Sequence, residues 1–87
     1  MELKDTVQLM LSDDWRDRLK AEHLQLTIRL HNLSSFINAA NRGEKKYKSE
    51  RDKFAMKKQY GAMVEYTIAL EHRMKFAGIE FNPYKAE

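Results

Sequence analysis

The chain has 87 residues, no cysteine, 33% charged residues and a formal net charge of +3. That length predicts a single domain over residues 1–87, and so small a core usually needs disulfides, a metal or partner subunits. Without cysteine, disulfides and thiolate metal sites are excluded, and subunit association remains as the way to complete the core. The weak positive charge favours anionic partners.

No apolar run in the sequence approaches the roughly 20 residues that a membrane-spanning helix needs. The first residues, Met1 to Asp5, lack the basic segment and apolar stretch of a secretory signal. We therefore expect a cytoplasmic protein without a membrane partner.

The first long helix is predicted over about residues 13–41. Ser12 is the expected N-cap, and Gly43 follows the end of the apolar pattern. A short helical turn can precede this helix, over residues 6–11. Apolar side chains recur at three- and four-residue steps along one face: Trp15, Leu19, Leu26, Leu30, Leu33, Ile37 and Ala40.

The second long helix is predicted over about residues 50–77. Ser49 and Asp52 resemble a capping box, with aspartate in place of glutamate, and Gly78 marks the end. Its apolar stripe has the same helical spacing: Met56, Tyr60, Met63, Thr67, Leu70, Met74 and Ala77.

Two helices of matching length joined by a short polar loop predict an all-α fold, an antiparallel hairpin. Both helices carry apolar residues on more than one side, so one hairpin cannot cover them all, and we expect a homo-oligomer. A simple hairpin dimer and a larger assembly are equally compatible with the pattern. The tail, residues 79–87, carries Phe81 and Tyr84 for packing on a neighbour.

Signatures of catalysis are missing from the sequence. There is no glycine-rich phosphate loop and no nucleophile motif, and the three histidines have no metal-binding spacing. Isolated histidines on helices are usually surface or boundary residues. We therefore expect a binding protein that is not an enzyme and holds neither a cofactor nor a metal.

The first helix interrupts its aliphatic stripe with Trp15, Arg18, Glu22 and Arg29. An indole ring can stack on a purine, and a guanidinium can hold a phosphate. The alternative interpretation makes Trp15 a packing anchor and Arg18 with Glu22 an exposed ion pair one turn apart. Periodicity alone favours this packing interpretation.

The most basic segment, residues 42–58, contains eight lysines and arginines against three acidic residues. For any single lysine a solvated loop position is the simpler interpretation. The alternative is a phosphate-attracting patch in which Tyr47 and Tyr60 stack and Lys57 lines a pocket. A net charge of +3 with interleaved acidic residues is low for a DNA-binding protein, so DNA is not an expected partner.

Both helices resemble the anti-CBASS cyclic-nucleotide sponges of tailed phages, small two-helix proteins. The first helix carries the family's spacing through Trp15, Arg18, Leu19, Glu22, Leu26, Arg29, Leu30, Leu33, Phe36 and Ile37. The second carries it through Gln59, Met63, Tyr66, Leu70, Arg73 and Met74. Together these patterns cover roughly residues 15–76.

The resemblance implies a non-enzymatic sponge, commonly a hexamer, that holds cyclic dinucleotides such as cyclic GMP–AMP between protomers. Some relatives also bind cyclic trinucleotides. Such a protein acts in the cytoplasm of the infected bacterium and blocks CBASS antiviral signalling. The family's stacking aromatic corresponds to Trp15, where tyrosine is common, and its phosphate-holding cation corresponds to Arg29. The rival hypothesis is a helical module that docks on a host or phage protein.

Overall fold

A computed structural model of the chain describes residues 2–85; Met1, Ala86 and Glu87, at the ends of the predicted domain and tail, lie outside the described residues. A 3-10 helix, Leu3–Thr6, leads into the short helix α1, Val7–Met10. The two long helices are α2, Trp15–Asn41, and α3, Glu50–Phe76. They pack against each other, which confirms the predicted all-α hairpin with a short N-terminal helix.

The start of α2 differs from the sequence prediction. Asp14, not Ser12, is the N-cap, and its Oδ1 accepts a hydrogen bond of 3.0 Å from the backbone N–H of Arg16. The Ser12 hydroxyl accepts from the backbone N–H of Asp14 and donates to Asp17 at 2.8 Å. The prediction of Ser12 as the cap was wrong because this hydroxyl forms its hydrogen bonds within the turn before the helix and with Asp17.

The other predicted helix boundaries agree with the structure. The Ser49 hydroxyl accepts from the backbone N–H of Asp52 at 3.1 Å and caps α3. Gly43 and Gly78 follow the two long helices with φ angles of 78° and 72°, a conformation that strains residues with a Cβ.

The core lies along the middle of the hairpin and at the end where the tail begins. Its buried members are Leu19, Leu26, Leu70, Met74 and Ile79, with Met63, Ala77 and Phe81 packed against them. The ends of the predicted stripes are less covered, and several large apolar side chains remain exposed: Leu11, Phe54, Ile68 and Phe76. One hairpin therefore leaves apolar surface uncovered, as the two-sided sequence pattern indicated.

Both terminal segments pack against the long helices. Thr6 is fully buried, and the side-chain amide of Gln25 donates to its hydroxyl at 2.9 Å, which fastens the N-terminal segment to α2. At the other end, the tail after α3 folds back, with Ile79 buried and the Phe81 ring edge-on to His23 at 5.4 Å. The tail thus packs on its own hairpin.

The Glu71 carboxylate connects the tail to both long helices. Its Oε2 lies 2.9 Å from His23 Nε2 and accepts the backbone N–H of Tyr84 at 2.9 Å. The His23 side chain is only 3% exposed, so this histidine is a structural core residue and not the surface or boundary residue that its isolation in the sequence suggested. Burial requires a partner, and Glu71 supplies it.

We expect Glu71→Ala to lower the free energy of unfolding by about 2 kcal/mol, because it removes the acceptor of both the buried His23 ring and the backbone N–H of Tyr84. Urea denaturation measures this loss. An exposed glutamate of the same helix serves as the control, and Glu65→Ala should change stability by less than about 0.5 kcal/mol. Equal effects of the two substitutions would contradict the assigned role of Glu71.

Candidate functional site

A surface cavity of about 250 Å³ lies beside the start of α2. Five residues line it, and all of them except Leu19 are aromatic or charged: Trp15, Arg18, Leu19, Glu22 and Arg73. Trp15 is 49% exposed, so within the chain it is not the packing anchor that periodicity alone favoured. Larger depressions occur along the tail and at the hairpin tip, but this one combines an accessible aromatic ring with two guanidinium groups.

One cation lies over the indole ring of Trp15, and two others border the same cavity. The guanidinium of Arg16 lies over the ring, 5.5 Å from its centroid, as in a cation–π contact. The Arg18 guanidinium donates to the carbonyl oxygen of Ser12 at 2.8 Å, which holds this cation at the cavity wall. Arg18 therefore does not adopt the predicted exposed pairing with Glu22, whose carboxylate has another partner.

The Glu22 carboxylate is held by a residue of the opposite helix. The hydroxyl of Tyr66 on α3 donates to Glu22 Oε1. This hydrogen bond, with partial burial, raises the pKa of the Tyr66 hydroxyl, and the nearby Arg73 charge opposes the rise only in part. At neutral pH, Tyr66 consequently remains protonated and keeps donating to Glu22. The contact fixes one wall of the cavity across the two helices.

Trp15, Glu22, Arg29 and Phe36 are spaced by seven residues along α2. Because 3.6 residues form a turn, this spacing places them in a single row that drifts by only about 20° per step. Arg29 is exposed, and it lies about 21 Å along the axis from Trp15. The structure therefore places both predicted residues on one side of α2 but does not bring them together within the chain.

Lys57, the fourth predicted site residue, lies on the exposed surface of α3. It is 16 residues from Arg73, which corresponds to about 24 Å along a helix. Within one chain Lys57 is therefore remote from the cavity beside Trp15, and it reaches a shared ligand only if another protomer brings it there.

The basic segment at the hairpin tip forms a separate cavity of about 650 Å³. The Tyr47 ring packs edge-on against Phe36 at 5.4 Å, and Lys53 lies 5.9 Å from its centroid. Arg42 donates to Glu44 at 2.8 Å, and this contact lowers the pKa of the Glu44 carboxyl. Part of the positive charge is thus balanced locally, and Tyr47 is engaged in packing, which weakens the phosphate-patch interpretation.

Sequence reasoning did not select Arg16, Tyr66 or Arg73 as site residues. For Glu22 the sequence did contain a signal, because its spacing of seven residues from both Trp15 and Arg29 places it on the same side of α2. By contrast, the approach of Tyr66 and Arg73 from α3 depends on the register between the two helices, which spacing within one helix does not determine.

The fold and this cavity define a small helical-hairpin protein with an accessible aromatic ring among charged side chains. The chain belongs to the Sequestin family, whose match covers residues 13–76, well over half of its 87 residues. This match confirms the family resemblance of the two helix patterns, and the family's name denotes sequestration, a binding role rather than catalysis. Neither the curated proteins nor the solved structures contain a significant match to the chain.

Within residues 2–85, no helix combines the length and the apolar character required to cross a membrane. The same part of the chain contains no group of three or more histidine, aspartate or glutamate side chains placed to hold a metal ion.

Proposed function

We propose that this protein is a non-enzymatic phage sponge that binds cyclic dinucleotides, such as cyclic GMP–AMP, and thereby blocks CBASS signalling in the cytoplasm of the infected bacterium. The observation that carries the proposal is the half-exposed Trp15 ring, which borders a cavity with Arg18 and Arg73. An exposed indole among guanidinium groups suits a ligand that combines flat bases with phosphates. Membership in a family named for sequestration supports the same role.

The distance between Trp15 and Arg29 supports a site shared by protomers. A base and its phosphate are separated by a single sugar, whereas these residues lie about 21 Å apart along α2. They contact one nucleotide only when they come from different chains. A symmetric pair of protomers presents each residue twice, which matches the two bases and two phosphates of a cyclic dinucleotide.

In this proposal Trp15 stacks on a base, Arg29 holds a phosphate of the same ligand, and Arg18 adds charge beside the stack. Lys57 contributes from a further protomer. The assembly is a homo-oligomer, a hexamer by the family resemblance. Exposed Ile68 and Phe76 provide apolar surface for such association, although the same surface also suits the rival function, docking on another protein.

Stacking and phosphate contacts supply the free energy of binding in this proposal. Base–aromatic stacking contributes about 1–3 kcal/mol per base, and hydrogen bonds to charged groups about 1.5–3 kcal/mol each. Two stacks and two phosphate contacts are together of the same order as the entropy lost on association, roughly 4–15 kcal/mol.

The test is a calorimetric titration with a panel of cyclic di- and trinucleotides, combined with sedimentation equilibrium. We expect saturable binding of cyclic dinucleotides by an assembly larger than the 10.3 kDa chain. The bound ligand should be recovered intact after heat denaturation, because sequestration breaks no bond. Recovery of linear dinucleotide would show that the protein cleaves the ligand and would contradict the sponge function in favour of a phosphodiesterase. A monomer that binds none of the panel would favour the protein-docking alternative.

A further inference from the structure

Glu22 occupies a distinctive position beside the proposed stacking ring. It lies seven residues after Trp15, in the same row and about 10 Å along the axis, and both residues border the same cavity. The hydrogen bond from Tyr66 restrains the Glu22 carboxylate from the opposite helix. A restrained carboxylate at this distance is placed to meet the edge of a base whose face lies on Trp15.

The carboxylate retains free acceptor capacity. An ionised carboxylate offers about four lone-pair positions, and the Tyr66 hydroxyl uses one of them on Oε1. Because Tyr66 stays protonated at neutral pH, it remains a donor and does not compete for N–H groups. The remaining positions can accept two parallel N–H donors, the geometry in which carboxylates bind most strongly.

Guanine and adenine present opposite patterns to such an acceptor. The Watson–Crick edge of guanine offers two adjacent donors, N1–H and the N2 amino group. Adenine offers one donor, its N6 amino group, beside the lone pair of N1, which a carboxylate oxygen repels. The guanidinium groups of Arg18 and Arg73 complement the O6 and N7 acceptors of guanine.

We propose that Glu22 makes the cavity selective for guanine over adenine, an inference that rests on the proposed binding of cyclic dinucleotides. Tyr66 acts as a positioning residue for the carboxylate. The ligand class is thereby narrowed to cyclic dinucleotides that contain at least one guanine.

The experiment compares the affinities of the parent protein and Glu22→Gln for cyclic di-GMP and cyclic di-AMP by calorimetry. We expect the parent to bind cyclic di-GMP at least ten-fold more tightly, since a bidentate contact to the correct base discriminates by about that factor or more. In Glu22→Gln, the side chain offers one acceptor and one donor, the pattern that adenine matches. The preference should therefore shift towards cyclic di-AMP.

Glu65→Gln provides the matched control, because it makes the same chemical change on the exposed surface of α3 and should leave the preference unaltered. Equal affinity of the parent for both ligands would overturn the guanine inference and leave the sponge function standing. Equal weakening of both ligands by Glu22→Gln would also overturn it, since Glu22 would then only shape the cavity. Binding of neither ligand by the parent would overturn the guanine inference, and binding of no member of the full panel would overturn the sponge function as well.

Discussion

Trp15→Ala is expected to weaken the binding of cyclic dinucleotides by at least ten-fold. The half-exposed indole supplies a stacking face, and loss of even ~1.4 kcal/mol of stacking produces that change. Trp15→Tyr should retain much of the affinity because a flat ring remains. Calorimetric titration of the three proteins measures the series.

Phe54→Ala is the control for the loss of an exposed aromatic ring, because Phe54 is 70% exposed and lies in the first turns of α3. It should bind like the parent. Sedimentation must accompany the titration, since dissociation of the assembly by Trp15→Ala would make Trp15 a packing anchor between protomers. An intact assembly that binds with parental affinity would refute the stacking role.

Arg29→Glu is expected to reduce affinity further, on the order of a hundred-fold, because it removes a charge-assisted contact and places a carboxylate near a phosphate. Arg29 is exposed in the chain, so the hairpin itself should fold normally. The dissociation constant and the sedimentation coefficient together test this expectation.

Arg51→Glu makes the same charge reversal on the exposed first turn of α3 and isolates the effect of net charge. If it weakens binding as strongly as Arg29→Glu, general electrostatic attraction explains the result. A stronger salt dependence for the parent than for Arg29→Glu would agree with a direct phosphate contact. Arg29→Glu with parental affinity would remove Arg29 from the site.

Most of the fold was predictable because it depends on local patterns. Gly43 and Gly78 end the helices as expected, and the Ser49 cap is where the capping-box pattern placed it. The prediction of Ser12 as the N-cap failed because several polar side chains precede α2. Which of them accepts the first backbone N–H depends on the geometry of the turn. The buried His23–Glu71 contact was not predictable, since its partners are 48 positions apart.

The candidate site was predictable on one helix only. Trp15 and Arg18 follow from residue chemistry and do border one cavity, whereas Tyr66 reaches Glu22 through the register of α3 against α2. Periodicity also gave Trp15 the wrong environment, because spacing along one helix does not show which end of its apolar stripe the other helix covers. Predicting whether a residue at the end of an apolar stripe is buried requires knowledge of the tertiary structure.

The row of Trp15, Glu22 and Arg29 restricts how this protein can vary in length. Each residue inserted or deleted between these positions rotates the remainder of α2 by about 100°. A single insertion would therefore turn Arg29 away from the side that carries Trp15, while an insertion of seven would preserve the side and lengthen the helix. Indels should accordingly be tolerated in the loop over residues 43–48 and rejected within α2.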